Sequence, residues 1–574
     1  MSRSAIVLCG LVLGTSLAAG AAQEWPQWGQ NQRHTGVSTA VGQTATHMLD
    51  SIVYDPFVAQ EQADPLTEND LLAHFQVPLI DGNDVYMEFK TGTYTDITHW
   101  ETQTWNEKKL RWQGGHLSIQ WSFQSDWKPV PYSKYATGPG WEPVFHGVLA
   151  GSFVYVPGAG GTIFKLNKSN GAQVARINPF GTIDVDTFTT GPLTADSAGN
   201  IYYNVMKLAH GEAWHADVLN AWLVKVASNG TAQKATYASL NPGAPGGNDK
   251  CPDIFLDSQL PWPPSPTAVA PTTKCGSQRP GVNQAVAVAS NGTIYTVSLA
   301  HLTSRTAYLL AVNPNLTPKW QASLRDRLTD GCGVLLPASG LGGCRAGSPV
   351  GVDPAENRPG AGRVLDDSTS SVIVAPDGSL FYGAYTRYNW AQGHLMKFSS
   401  TGQFLAAFPF GWDDTPSLYV HDGTYSLVTK DNHYGEVGSY CNDDTVCPTD
   451  RTATHPTYPE QYFITRLSAN LTPEWSWQNT NPDSCTRDAN GNVTCVADHP
   501  FGFEWCVNAP VVDSTGVTYA NSEDGGLYVL RPDGTLRESL FLNLAIGAAY
   551  TPLSMSSDGK IFTQNDGVLF VVGN

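Results

Sequence analysis

Val286-Ala-Val-Ala-Ser-Asn-Gly-Thr-Ile-Tyr295 contains a short apolar run, a turn centred on Asn-Gly and the start of an alternating strand. Asn-Gly supplies the positive φ that a tight turn between two twisted strands demands, so the stretch is a β-hairpin. The same unit recurs upstream at 78–87, 148–155 and 193–202, and downstream at 372–381, 418–425, 510–519 and 553–562. A second hairpin follows most of these, as in Phe164-Lys-Leu-Asn-Lys-Ser-Asn-Gly-Ala172 and Tyr528-Val-Leu-Arg-Pro-Asp-Gly-Thr-Leu536. Two hairpins make one four-stranded antiparallel sheet, and repetition of such sheets around an axis leaves only short, protected edges.

The expected fold is therefore all-β: an eight-bladed β-propeller, with seven blades as the alternative because the first repeat is the most degenerate. The turn glycines fall at 82, 151, 199, 292, 378, 423, 516 and 559, and the closest of them set a compact repeat of about 43 to 48 residues. The last repeat ends at Val571-Val572 with room for three strands only. A segment near Met48-Leu-Asp-Ser-Ile-Val-Tyr54 is expected to supply the missing outer strand and close the ring.

Composition agrees with this reading and excludes other classes. With 56 Gly and 38 Pro in 574 residues a long-helix protein is ruled out, and 41% apolar content rules out a disordered chain. A net charge of −18 repels phosphate backbones, so no nucleic-acid partner is expected. Arg3, the apolar run Ala5 to Leu17 and the small residues up to Ala22 read as a signal peptide over 1–22, which implies a secreted or periplasmic protein. No later stretch approaches the ~20 apolar residues of a membrane span. Residues 23–70 are then an N-terminal extension carrying the closing strand, and 71–574 the propeller. A monomer is expected.

Export favours oxidised cysteines, and those outside the leader cluster as near neighbours. The expected staples are 251–275, 332–344, 441–447 and 485–495, with Cys506 left over. The absence of any CxxC pair argues against zinc, so no metal site is expected.

Long excursions fall at 205–220, 241–282, 325–366, 431–460 and 480–506. Each lies between blades or between the second and third strands of a blade, so all five are expected to emerge on one face. Binding residues are disproportionately found on loops held by a rigid scaffold. Polar side chains expected near the channel mouth on that face are His146, Lys207, His215, His301, Arg387, His394, Lys430, Asp431, His433 and Tyr434. Lys430-Asp-Asn-His-Tyr434 is the densest group. His433, Tyr434, Asp431, Arg387 and His146 are the catalytic candidates, because a His with Tyr or Arg can take a proton beside a sugar carboxylate and neutralise the developing charge. Lys207, His215, His301, Trp390, His394 and Lys430 are the ligand-binding candidates. Trp121, Trp320 and Trp475 belong to outer strands and are expected to pack between blades, while Trp127 and Trp390 read as loop residues available to a ligand.

Trp25-Pro-Gln-Trp-Gly-Gln-Asn-Gln-Arg-His-Thr-Gly-Val-Ser38 resembles the opening of proteins with pyrroloquinoline-quinone-like (PQQ-like) β-propeller repeats, and the hairpins are similar to that family's repeat. The resemblance implies the propeller, and for some relatives a quinone dehydrogenase activity with PQQ and Ca²⁺. The chain departs from that branch. It has no adjacent Cys-Cys, no CxxCH, no evident Glu, Asn and Asp set for Ca²⁺, and only partial docking-tryptophan matches at Trp320 and Trp475. PQQ with Ca²⁺ is disfavoured on this basis. The leading expectation is a binding protein for a glycan, another extracellular polymer or a small molecule; a polysaccharide lyase or a PQQ-dependent dehydrogenase is the alternative, and catalysis stays open.

Overall fold

The computed structural model describes residues 24–574 apart from 66–74, 131–143, 211–215, 252–271, 326, 328–362, 365, 367–369, 386–391, 412–413, 434–460, 489, 507–508 and 546–551. The signal peptide and the expected 332–344 and 441–447 disulfides lie outside the described residues, as do His215, Arg387, Trp390 and Tyr434.

Eight antiparallel sheets follow one another along the chain as blades 1 to 8, spanning 79–124, 148–177, 187–236, 278–323, 373–411, 417–479, 511–541 and 554–573. The degenerate first repeat forms a full four-stranded blade, which removes the seven-bladed alternative. The last blade takes its outer strand from the other end of the chain. His47–Val53 runs antiparallel to Val568–Gly573, with Met48 opposite Val572 and Ser51 opposite Phe570. All eight turn glycines have φ between 58° and 88°, a region an L side chain rarely adopts.

Blades are held together by tryptophans. The outer-strand Trp121, Trp320 and Trp475 donate Nε1–H to the Lys168, Ser400 and Pro532 carbonyls, each at 3.0 Å, in the last turn of the following blade. A glycine lies under each ring: a Cβ added at Gly171, Gly402 or Gly534 would meet it at 2.7 Å. Ring burial and one hydrogen bond, worth about 1 kcal/mol net, thus recur as an inter-blade lock. Trp127 instead lies in the core, edge-on to Trp105 with its Nε1–H on the Thr189 carbonyl, which corrects the expectation of a ligand contact.

Residues 25–43 form a strap that visits every blade in order. Trp25 pairs with Ile80 of blade 1, and the Pro26 carbonyl accepts from Leu149 of blade 2. Gln27 bonds Ala195 of blade 3 through both side-chain atoms. The Gln32, Arg33 and Thr35 carbonyls accept from Val288, Val374 and Leu418 of blades 4, 5 and 6, Ser38 donates to Val512 of blade 7, and Gln43 donates to Gly559 of blade 8. His34 is buried at the centre, its Nδ1 3.1 Å from the Val372 carbonyl and Nε2 3.4 Å from Thr194 Oγ1. Burial lowers its pKa to about 4, so the pin is neutral at ordinary pH.

Candidate functional site

The strap runs beside the first turns of the blades, as the bonds to Gly559 and from Ser197 and Ser514 show. It therefore covers the turn face of the ring. The long connections leave and rejoin the strands at their other ends: Lys207 and Asn220 bound the one within blade 3, His433 and Gln461 the one within blade 6, and the others link blades 3 and 4, 4 and 5, and 6 and 7. Two of these carry staples, Cys251–Cys275 and Cys485–Cys495, the latter across the Asp483–Arg487 and Val493–Ala497 hairpin.

A cavity of about 320 Å³ opens on this loop face between blades 6 and 7, lined by Tyr462, Asp498, His499, Pro500, Phe501, Gly502, Phe503, Glu504 and Glu523. Its wall is pinned to blade 6. Asn432 donates Nδ2–H to the Trp505 carbonyl at 3.0 Å and accepts from Trp505 N at 3.2 Å, while Trp505 Nε1–H donates to the Tyr462 carbonyl at 3.1 Å. Gly502 has φ 88°, and a Cβ there would lie 2.3 Å from the Asn479 carbonyl oxygen, so only glycine seats the loop this closely.

Two carboxylates meet a thiol at the cavity's inner end. Cys506 Sγ lies 3.2 Å from Glu504 Oε1 and 3.0 Å from Glu523 Oε1. Burial, then both carboxylates, push the thiol well above its ordinary range, with Lys430 opposing the rise. Cys506 is therefore a buried, protonated thiol, which accounts for the odd cysteine. At the outer end, Asp498 is held below its usual range by Ser484, whose hydroxyl is 2.7 Å away, and by His499 at 2.6 Å. The His499 ring stacks on Phe503 with centroids 3.8 Å apart.

The Lys430–Tyr434 group divides. Its described members, Lys430 to His433, lie on strand Thr424–His433, where side chains alternate between faces. Lys430 and Asn432 address the blade 6–7 insertion. Asp431 and His433 take the other side, Asp431 Oδ1 2.9 Å from His433 Nε2 and its Oδ2 accepting from Thr465 Oγ1 at 3.0 Å. His433 Nδ1 is buried without a hydrogen-bond partner among the described residues.

The remaining sequence candidates stand apart from the cavity. His146 is buried where blades 1 and 2 meet, with Nδ1 2.7 Å from the Gly147 carbonyl and its pKa lowered to about 4 by burial. Lys207 pairs with Asp184 at 2.6 Å in blade 3. His301 Nδ1 accepts from Arg279 Nε at 2.7 Å, and the same guanidinium grips Asp366 with two bonds of 2.6 Å. His394 is buried in strand Gln392–Phe398 of blade 5.

One buried pair escaped the sequence reading. Glu88 and Glu107 oppose each other in register on adjacent strands of blade 1, and burial raises Glu107 to about 8. The alternation of strand Gln103–Gln113 was a usable signal, since it sets Glu107 on the same face as Trp105.

No family model and no curated protein matches the chain. Solved structures do. It is similar to a europium-containing methanol dehydrogenase at TM-score 0.50 and 11% identity, covering 94% of this chain and 89% of that one. It is also similar to a quinohemoprotein alcohol dehydrogenase from Comamonas testosteroni at TM-score 0.50 and 12% identity, covering 97% and 82%. At such identities the likeness establishes the fold.

The described donors do not assemble the free cations beside converging carboxylates that a quinone with Ca²⁺ would need. Arg279 and Lys207 are bound by Asp366 and Asp184, and Asp414 Oδ2 by Thr429 Oγ1 at 2.6 Å. Of the buried glutamates, Glu61 is held by Lys90, Glu88 and Glu107 oppose each other in blade 1, and Glu523 meets Glu504 at the Cys506 thiol with no described free cation beside them.

Proposed function

From a chain with the eight-bladed propeller fold of the quinoprotein alcohol dehydrogenases, we propose an exported, monomeric binding protein that takes a glycan or small molecule into the cavity between blades 6 and 7. The observation that carries this reading is the cavity itself, about 320 Å³ on the loop face, with aromatic side chains and a few converging polar groups. Aromatic faces of Tyr462, Phe501 and the His499–Phe503 stack suit the apolar face of a sugar ring. The strap supports the choice of face, because it covers the opposite one. The two disulfides among the described residues support export, and no described helix is long and apolar enough to cross a membrane.

Titration calorimetry against neutral, anionic and amino oligosaccharides tests the reading. One class binds, and Tyr462→Ala weakens it at least tenfold; absence of binding, or binding indifferent to Tyr462→Ala, refutes it.

A second reading, a lyase-type enzyme, draws support from the Asp431–His433 pair, where Asp431 orients the ring and leaves Nδ1 as the basic atom. His433→Ala then abolishes turnover while binding persists, and inactivity of the parent protein on every uronic-acid polymer removes this reading. The carboxylate lining of the cavity weighs against an anionic polymer there.

A further inference from the structure

The hairpin of Asp483–Arg487 and Val493–Ala497, in the link between blades 6 and 7, carries a sheet edge unlike the others. Natural sheets blunt their edges with bulges or charged residues, because a flat open edge invites a further strand. The outer strands of blades 1, 2, 4, 5, 6, 7 and 8 all pair with a register shift, and that of blade 3 carries the exposed Lys234. Val493-Thr-Cys-Val-Ala497 has neither device. Its register is unbroken, it holds no charged residue, Pro or Gly, and it is the one described strand exposed at every residue, Val496 by 60%.

The alternation of the ladder assigns its hydrogen-bonding groups. Asp488 N–H donates to the Asn492 carbonyl at 2.9 Å and Asp498 N–H to the Pro482 carbonyl at 3.1 Å. Bonded and unbonded rungs alternate along an antiparallel pair, so Val493, Cys495 and Ala497 stand on unbonded rungs; the 4.1 Å between the Cα atoms of Cys485 and Cys495 agrees. The N–H and C=O of these three residues therefore point to the open edge. The inner strand is anchored to blade 7, where Arg487 Nε and Nη2 donate to the Leu542 and Phe541 carbonyls at 3.1 and 3.0 Å, and the Cys485–Cys495 disulfide ties the outer strand to it. The edge thus exists before any partner arrives, which cuts the ordering cost of binding.

The surroundings of the edge are acidic. Residues 480–506 hold Asp483, Asp488, Asp498 and Glu504 against a single Arg487. Asp488 and Asp498 flank the strand, and hydrogen bonds from Asn492 and from Ser484 and His499 keep their carboxyls below the usual range. A second copy of the chain would bring the same acidic rim and a net charge of −18 to the contact, so like charges oppose it, whereas a cationic segment is attracted.

We propose that the Val493–Ala497 edge is a docking strand for a basic, extended segment of a partner protein, which adds to the hairpin as its third strand. Main-chain bonds to Val493, Cys495 and Ala497 hold the segment, and the acidic rim selects its charge. The inference goes beyond the cavity reading and does not depend on it.

The test titrates the full mature chain, at about 50 mM salt, into a labelled octapeptide Lys-Val-Lys-Thr-Lys-Val-Lys-Thr and reads fluorescence anisotropy. Two control peptides accompany it: one with Glu in place of Lys, and one with every backbone nitrogen methylated, which keeps the charge and loses the donors. The lysine peptide is expected to bind at least tenfold tighter than either control and to slow hydrogen exchange in chain segments covering 493–497. Ala497→Pro removes an outward N–H that the hairpin's own ladder does not use, and should weaken binding at least fivefold. The peptide comparison uses the unaltered protein, so it stands even if Ala497→Pro folds poorly. Equal binding of the methylated peptide shows diffuse charge attraction and overturns the proposal; equal binding of the Glu peptide overturns the basic partner. Unchanged affinity in a folded Ala497→Pro protein puts the peptide elsewhere and overturns it too, as does failure of the lysine peptide to bind. A concentration-dependent dimer in sedimentation that Ala497→Pro abolishes gives the edge to a second copy and overturns the assignment to a partner protein.

Discussion

Replacing Glu107 by Gln should change how the ring's stability depends on pH. Glu107 lies on the face of strand Gln103–Gln113 that meets blade 2, opposite Glu88 in register, and a Cβ added at Gly147 would lie 3.5 Å from its Oε2. Burial raises its carboxyl from 4.5 to about 8. Its folded-state pKa is therefore above the unfolded value. The stability linked to it is fully present below pH 4.5 and is lost as pH rises to about 8, because the unfolded chain releases the proton while the folded one retains it. At about 1.4 kcal/mol per unit, the loss between pH 5 and 7.5 is of the order of 3 kcal/mol. Spread over a chain of this size, that is a change in Tm of about 3 °C. Gln keeps the shape and does not ionise. The assay is thermal unfolding of both proteins from pH 4.5 to 8.5, and the expected result is a Tm difference that moves in favour of Glu107→Gln by about 3 °C across that range. Parallel curves would refute the reasoning, since they would show that Glu107 titrates alike in both states.

The tryptophan lock is testable at Trp320, where Gly402→Ala forces a Cβ to 2.7 Å from the ring at φ 84°. It should destabilise by about 1–3 kcal/mol in denaturant titration and combine non-additively with Trp320→Ala, whereas strict additivity would show no contact. A chain beginning at Thr44 retains the closing strand His47–Val53 but loses the strap. It should lose its single cooperative melt, and a separate 24–43 peptide should restore it; an unchanged melt would show the strap to be dispensable. Cys506, buried and raised far above its ordinary pKa, should resist alkylation in the native protein and react only after unfolding, as read by peptide mass mapping.

The fold was legible because its decisive signals are local. A turn that needs positive φ writes Gly into the chain at fixed places in each repeat, and the short last repeat left one strand to be found near Met48. The site was less legible because distant segments assemble it. Glu504 and Cys506 come from an insertion ahead of blade 7, Glu523 from the second connection of that blade, and Tyr462 from blade 6. The density of Lys430-Asp-Asn-His-Tyr434 misled in one respect, since the strand's pleat divides neighbours between two faces. That division was readable, given the strand. The strap's course was not, because backbone hydrogen bonds to seven of the eight blades set it, and they leave no mark on residue type. Trp127 misled for a related reason: it follows strand His116–Gln124 yet turns back into the core.

Hydrogen exchange with and without the tightest-binding oligosaccharide tests most directly whether the loop face between blades 6 and 7 is the working site. Protection is expected in peptides covering 461–463, 498–506 and 522–525, with the strap 25–43 unchanged. Protection confined to the strap and first turns, or to blades 1 through 4, would contradict the account.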